Sequence, residues 1–169
     1  MYIILYNVSI MNSPEERTLV LIKPDAMQRG LIGEITKRFE QKGLKIIGMK
    51  MIQLDRDILS KHYAKHAEKP FFDSLARSMS SSPIVAMVLS GINALKATRL
   101  IVGPTKAHEA DAGSIRGDLA ISGQANLVHA SDPEENPEAE IELFFRTEEL
   151  FPWKRIDFEV LYGDEEKGG

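Results

Sequence analysis

The sequence predicts an α+β domain in which helices cover one antiparallel or mixed β-sheet. The chain has 169 residues, of which 43% are hydrophobic, so it is long enough to form one compact domain with a buried core. Apolar runs typical of strands alternate with amphipathic segments typical of helices, roughly in the order β-α-β-α-β-α-α-β, with the two helices around Pro70 counted as one. The run Pro83–Leu89 is apolar on both faces, as expected for a strand inside a covered sheet.

An apolar run predicts the first strand, and a helical periodicity after it predicts the first helix. Arg17–Lys23 is a short apolar run, predicted to be a buried strand, and Pro24 ends it with a turn. Gly30–Lys42 is predicted to be a helix, with Gly43 as a suitable end. Its apolar side chains fall on one helical face: Ile32, Ile35 and Phe39.

The middle of the chain repeats this order. Leu44–Leu54 is rich in Ile and Met and is predicted to be a strand. Asp57–Ala67 is predicted to be a helix, with Asp55 or Asp57 as its N-cap. Pro70 interrupts the pattern, and Phe71–Met79 is predicted to be another short helix.

The second half starts with the strand Pro83–Leu89 and continues with a predicted helix over Ile92–Val102. Gly103–Gly113 has no strong periodicity and is predicted to be a loop. Asp132–Leu143 begins with Asp-Pro, an N-cap followed by proline at the first helical position, and is predicted to be a helix. Phe144–Arg146 is predicted to be the last strand, and the whole pattern is that of ferredoxin-like units.

The composition excludes several classes of function. The chain has no cysteine, which excludes a disulfide framework, a thiolate nucleophile and a cysteine metal site. Its formal net charge of −4 is unfavourable for general nucleic-acid binding, although it leaves room for a local basic pocket. The longest apolar stretch, Met1–Met11, is too short to span a bilayer and lacks the features of a secretory signal, so we expect a cytoplasmic protein. Met11 is an alternative start.

Two histidine patterns are candidates for chemistry. His62 and His66 lie four residues apart on a predicted helix, a spacing that can bind a metal, but no third ligand is evident and ordinary surface histidines are the better interpretation. His129 ends a short apolar run, and Glu140 follows eleven residues later on the next predicted helix. A carboxylate there can hold the ring N–H and fix the tautomer. Taken alone, this spacing favours an ordinary structural histidine over a catalytic one.

Scattered basic and aromatic residues suit a nucleotide. Lys23, Arg99 and Arg116, with Thr105, would suit a polyphosphate if they met around one histidine, whereas each alone is more often a solvated charge. The aromatic rings of Tyr63, Phe71 and Phe72 can stack on a base, or can belong to the core. Spacing alone does not gather these residues in one place.

Five segments together resemble the nucleoside diphosphate kinase family. They are Lys23–Gly30 (KPDAMQRG), His62-Tyr63, Lys69–Phe72 (KPFF), Ile115–Asp118 (IRGD) and Asn126–Asp132 (NLVHASD). The resemblance implies a kinase domain over residues 16–162, an N-terminal extension over residues 1–15 and a flexible tail over residues 163–169. It also implies a ferredoxin-like α/β sandwich with a four-stranded antiparallel sheet.

The resemblance further implies a mechanism. The γ-phosphoryl group of a nucleoside triphosphate, typically ATP, would pass to a nucleoside diphosphate by a ping-pong reaction through a phosphohistidine. His129 would be the nucleophile, Glu140 would orient it and Ser131 would lie beside it. Mg²⁺ would be carried by the nucleotide phosphates rather than by the protein. The chain would form a homo-oligomer, a hexamer or a tetramer, with no nucleic-acid or membrane partner.

The remaining roles implied by the resemblance concern the nucleotide. The phosphates would contact Arg99, Thr105 and Arg116. Lys23 and Asn126 would bind the sugar hydroxyls, with Lys23 also near the transferred phosphate. Phe71 would stack on the base and Tyr63 would support the phosphate end. The alternative is a non-catalytic binding module on the same scaffold, but such relatives typically lose the histidine or a phosphate ligand, and this sequence keeps them.

Overall fold

A computed structural model describes residues 14–64 and 68–167, and within them four strands form one antiparallel sheet. The strand order is β2-β3-β1-β4, so β3 and β1 are central. The strands are β1 (Glu15–Ile22), β2 (Lys45–Ile52), β3 (Ile84–Ile92) and β4 (Val128–Ala130). The predicted four-stranded antiparallel sheet covered by helices is therefore confirmed.

Helices connect the strands and cover both faces of the sheet. They are α1 (Pro24–Gln28), α2 (Ile32–Gln41), α3 (Arg56–His62), α4 (Phe72–Met79), α5 (Ala94–Val102), α6 (Ile115–Leu119), α7 (Pro137–Phe144) and α8 (Phe158–Leu161). Short 3₁₀ turns occur at Ala107–Glu109, Thr147–Glu149 and Asp164–Lys167. Within residues 14–64 and 68–167, no helix combines the length and apolar character that crossing a bilayer requires.

The alternating side chains of β1 build two separate cores. Val20 and Ile22 pack on one face with residues of α2 and α5, whereas Leu19 and Leu21 pack on the other face with residues of α3, α4 and α7. All four side chains are fully buried, which explains why β1 is a continuous apolar run rather than an alternating one. The second core matters for function, because it holds α3 and α7 against the same side of the sheet.

Two predictions for the C-terminal half are wrong. The fourth strand is Val128–Ala130 and not Phe144–Arg146, since Phe144 ends α7 and packs with Phe145 in the second core. A three-residue strand is too short to show a period in the sequence. Helix α7 begins at Pro137 rather than near Asp132, because the side chain of Asn136 is its N-cap and accepts a hydrogen bond from the backbone N–H of Ala139 at 3.2 Å.

Smaller differences lie at element ends. Pro24 starts the short helix α1, where the sequence predicted a turn. Helix α3 has its N-cap at Asp55, as predicted, and ends at His62, whereas the prediction extended it to residue 67. Within the predicted tail, Asp164–Lys167 forms a 3₁₀ turn in which the Lys167 ammonium contacts Asp164 at 2.9 Å. Most of the predicted N-terminal extension, including Met11, lies outside the described residues, as does His66 of the histidine pair.

Candidate active site

The side chain of His129 projects from the edge strand β4 into a cleft. In β4 the neighbours Val128 and Ala130 point into the first core, so the intervening His129 points to the opposite face, towards α3 and α7. Its side chain is 24% exposed. The ring is therefore fixed by a short strand but is still reachable from solvent.

Glu140 holds one nitrogen of that ring. The His129 Nε2 atom lies 3.2 Å from Glu140 Oε1, and a carboxylate only accepts hydrogen bonds, so Nε2 carries the proton and donates it. The lone pair of the neutral ring is then on Nδ1. Burial would raise the pKa of Glu140, but hydrogen bonding by His129 and Ser131 outweighs it and lowers the pKa, which keeps the carboxylate ionised at neutral pH.

Ser131 anchors this pair to the sheet. Its hydroxyl is fully buried and accepts a hydrogen bond from the backbone N–H of Leu19 in β1 at 3.1 Å. This contact ties the segment after β4 to the central strand, so the distance from His129 to α7 is set by the sheet rather than by a loop.

His62 is a third member of the cluster that the sequence did not place there. At the end of α3, its side chain is 1% exposed, its ring packs edge-on against the His129 ring at 4.6 Å between centroids, and Nδ1 lies 3.5 Å from Glu140 Oε1. Burial, followed by the proximity of His129, lowers the pKa of His62 to about 3, so this ring is neutral at physiological pH. The only sequence signal was that His62 belongs to one of the resembling segments.

The cationic side of the cleft begins where β1 ends. The Lys23 ammonium donates hydrogen bonds to Asn126 Oδ1 at 2.7 Å and to the Gln124 carbonyl at 3.1 Å. Burial lowers the pKa of Lys23 to about 8, and the nearby Asp25 carboxylate only partly offsets this effect. Lys23 is thus cationic at neutral pH but close to losing its proton.

Arg116 is held rigidly by backbone carbonyls. Its guanidinium donates to the carbonyls of Gly103, Asn126 and Val128 at 2.8, 3.2 and 2.6 Å. Burial, with the repulsion of Arg99, lowers the pKa of Arg116 to about 10, which leaves it charged at neutral pH. A guanidinium has five N–H donors, so two remain for an anion in the cleft.

A strained turn brings the Asn126 segment to Lys23. Leu127 has a φ of 71°, which is uncommon for a residue with a branched side chain. Its backbone N–H donates to Asp25 Oδ2 at 2.9 Å, and its carbonyl accepts from the Lys23 backbone N–H at 2.8 Å. These two bonds hold the turn in place and were not predicted from the sequence, although Asp25 lies in one of the resembling segments.

The cleft brings together the residues singled out in the sequence. It has a volume of about 810 Å³. The predicted site residues that line it are Lys23, Tyr63, Phe71, Arg99, Thr105, Arg116, Asn126, His129 and Glu140, while Ser131 lies beneath the surface. Phe71 is half-exposed at its rim, whereas Phe72 is buried in the core. A second depression, of about 790 Å³, shares Arg99 and Asp132 with this cleft but has no histidine in its lining.

Comparison with known proteins decides the family. A sequence model of the family described as nucleoside diphosphate kinase matches residues 16–150. The chain belongs to the nucleoside diphosphate kinase family. It is 52% identical over 146 residues to a nucleoside diphosphate kinase of Pyrococcus horikoshii, covering 85% of this chain and 93% of that protein. With the nucleoside diphosphate kinase of Archaeoglobus fulgidus the identity is 48% over 147 residues, covering 87% and 97%.

A solved structure of a family member has the same fold as this chain. The nucleoside diphosphate kinase of Halobacterium salinarum in complex with CDP superposes with a TM-score of 0.86 and 44% identity, covering 88% of this chain and 99% of that one. The predicted resemblance to nucleoside diphosphate kinases, and with it the prediction of a phosphotransferase, is confirmed.

Proposed function

We propose that this member of the nucleoside diphosphate kinase family transfers the γ-phosphoryl group of ATP or another nucleoside triphosphate to a nucleoside diphosphate, with His129 as the temporary carrier. The observation that carries the proposal is the pairing of His129 Nε2 with Glu140 at 3.2 Å, in a cleft whose lining includes the cationic side chains of Lys23, Arg99 and Arg116. This pairing leaves the nucleophilic lone pair on Nδ1 of a ring that lines the cleft.

The reaction divides into two half-reactions. In the first, Nδ1 of His129 forms a bond to the γ-phosphorus while the bond from that phosphorus to the β-phosphate oxygen breaks, and the nucleoside diphosphate leaves. In the second, a terminal oxygen of another nucleoside diphosphate attacks the phosphohistidine and restores the neutral ring. No base has to deprotonate the nucleophile, and the Glu140 carboxylate stabilises the positive charge that develops on the ring.

The cationic residues supply positioning and charge. Phosphoryl transfer passes through a loose transition state, so catalysis depends mainly on alignment and on stabilisation of the phosphate oxygens. Arg99, Thr105 and the two free donors of Arg116 would contact these oxygens. Lys23 and Asn126, already joined at 2.7 Å, would bind the sugar hydroxyls, with Lys23 also near the transferred phosphate.

Base recognition would rest on stacking. Phe71, half-exposed at the rim of the cleft, would stack on the base, and stacking tolerates every base because each has a π face. Tyr63 packs edge-on against His62 at 4.5 Å between centroids and would support the phosphate end. Broad nucleotide specificity follows, since the sugar and phosphates would be read more closely than the base.

Magnesium would enter as part of the substrate. Mg²⁺ prefers an octahedron of oxygen ligands. Over residues 14–64 and 68–167, the group of side chains with metal-ligand spacing is His62, His129 and Glu140, which is not an oxygen cage. We therefore propose that Mg²⁺ is carried by the nucleotide phosphates, where it neutralises part of their charge.

A homo-oligomer in the cytoplasm is part of the same proposal. The edge strand β2 exposes Met49 and Met51, which are 45% and 61% exposed, and Trp153 nearby in the fold is 47% exposed. Edge strands with exposed apolar side chains favour association with another chain. Light scattering on the purified protein, with a hexamer or a tetramer as the expected result, measures this directly.

The test is phosphate transfer through the histidine. Incubation with γ-labelled ATP should give a protein-bound phosphate that is acid-labile and base-stable, and later addition of GDP should release it as GTP. His129→Ala should abolish both steps, whereas His108→Ala, at a histidine whose side chain is 55% exposed and absent from the cleft lining, should not. Turnover like that of the unmodified protein in His129→Ala would refute the assignment. Tight ATP binding without label would instead favour a non-catalytic module.

A further inference from the structure

His62, His129 and Glu140 place three potential ligand atoms around one point. The atoms that these side chains can offer to a metal all lie within 4.8 Å of one another. Two imidazoles and one carboxylate form the ligand set of several catalytic zinc sites, which keep a fourth position open. All three residues line the cleft, so a fourth position can be reached from solvent.

The spacing fits a tetrahedral ion. With bonds of about 2.0–2.1 Å to nitrogen and oxygen, neighbouring ligands of tetrahedral Zn²⁺ lie about 3.3–3.4 Å apart. The distances from Glu140 Oε1 are 3.2 Å to His129 Nε2 and 3.5 Å to His62 Nδ1. Two of the distances between ligand atoms therefore already match a tetrahedral ion, and the potential ligand atoms of all three side chains lie within 4.8 Å of one another.

The burial of the His62 ring and its lack of hydrogen-bond partners indicate a ligand. Its side chain is 1% exposed, and neither ring nitrogen has a hydrogen-bond partner among residues 14–64 and 68–167. A buried polar group without a partner lowers the stability of the folded state. Coordination of a metal would give this ring the partner that it lacks.

We propose that His62, His129 and Glu140 form a site for Zn²⁺ or a divalent ion of similar chemistry, and that the bound ion switches off His129. The second half of this statement rests on the proposed function. Imidazole ligands suit Zn²⁺ and not Mg²⁺, so the site is distinct from the ion carried by the nucleotide.

The switch follows from the tautomer of His129. In the metal-free ring, Nε2 carries the proton and Nδ1 carries the lone pair. A metal on Nε2 needs the lone pair there, so the proton moves to Nδ1 and no proton is released overall. Nδ1 then has no lone pair to form a bond to phosphorus, and Glu140 is engaged by the metal instead of the ring.

Zinc binding is tested first without nucleotide, on the full chain. Zn²⁺ is titrated against a chromophoric zinc chelator, and Co²⁺ absorption reports the coordination number. His62→Gln should weaken zinc binding at least about 10–100-fold, the range found for groups that only support a ligand. His108→Gln and His66→Gln should bind as the unmodified chain does. Loss of binding in His66→Gln would overturn the proposal in favour of a His62–His66 pair.

A rescue variant separates ligation from folding. His62→Cys puts the chain's sole thiol at this position, and a Zn–S bond of about 2.3 Å offsets the shorter side chain. His62→Cys should restore tight binding and give thiolate-to-cobalt charge-transfer absorption. Binding in His62→Cys as weak as in His62→Gln, or equal binding by the unmodified chain and His62→Gln, would overturn the site.

Inhibition is then measured as phosphoenzyme formation from ATP with excess Mg²⁺. Zn²⁺ should inhibit the unmodified chain and the His108→Gln variant at least about tenfold more strongly than His62→Gln, each relative to its own metal-free rate. Zinc that binds without slowing phosphoenzyme formation would overturn the switch. If no phosphoenzyme forms even without zinc, the proposed function fails while the binding result still decides the site.

Discussion

Replacement of Glu140 by Gln removes the charge next to the nucleophile and keeps the shape of the side chain. During phosphoryl transfer the His129 ring becomes cationic, and Glu140 Oε1 lies 3.2 Å from its Nε2. Coulomb's law at this distance gives about 5 kcal/mol with an effective dielectric constant of about 20, and about 1 kcal/mol with that of water. The Glu140 side chain is 14% exposed and that of His129 is 24% exposed, so the value lies between these limits.

A loss of about 1–5 kcal/mol corresponds to a rate decrease between roughly fivefold and a few thousand-fold in phosphoenzyme formation. A rapid-quench measurement of the first half-reaction with labelled ATP gives this rate without interference from product release. Glu142→Gln is a matched control, because it removes the same charge from an exposed position on the same helix. A Glu140→Gln rate within twofold of the Glu142→Gln rate would show that the carboxylate does not stabilise the ring.

Three further outcomes are expected. The pKa of Lys23 is lowered to about 8 from 10.5, so between these pH values the unfolded chain binds more protons than the folded chain and the free energy of unfolding rises with pH. Over the same range kcat/KM should fall above pH 8 as Lys23 loses its charge. The Lys23→Met variant should not show this fall in kcat/KM. Phe71→Ala should weaken nucleotide binding by about 1–3 kcal/mol for all bases in calorimetry, whereas Phe151→Ala, at another exposed ring, should leave the affinity unchanged. Asp25→Ala leaves the Leu127 N–H without its acceptor and should lower the free energy of unfolding by about 1–3 kcal/mol in urea denaturation, and unchanged stability would contradict this role.

The elements with the strongest local sequence pattern were the ones predicted correctly. The strands β1 and β3 were predicted because their apolar runs are long and buried on both faces. Strand β4 was missed because three residues show no period, and its pairing with β1 decides its conformation. The start of α7 was misplaced because two Asx-Pro pairs, at Asp132 and at Asn136, offer the same local signal, and packing selects the second.

The amino-acid sequence by itself determined the residue types of the candidate site and the family. The five resembling segments contain the histidine, the lysine and one of the arginines, and the resemblance implied that Glu140 orients His129. Roles in the reaction stay predictions until they are measured.

Only the tertiary structure decided what surrounds His129. His62 lies 67 residues before it in the chain, and the two rings meet because α3 and α7 pack on the same face of the sheet from which β4 projects His129. No local pattern encodes such a contact, since it depends on the burial of apolar side chains from distant elements. The same packing holds the turn at Leu127 in a conformation that its own side chain disfavours, and so fixes the distance between Lys23 and Asn126.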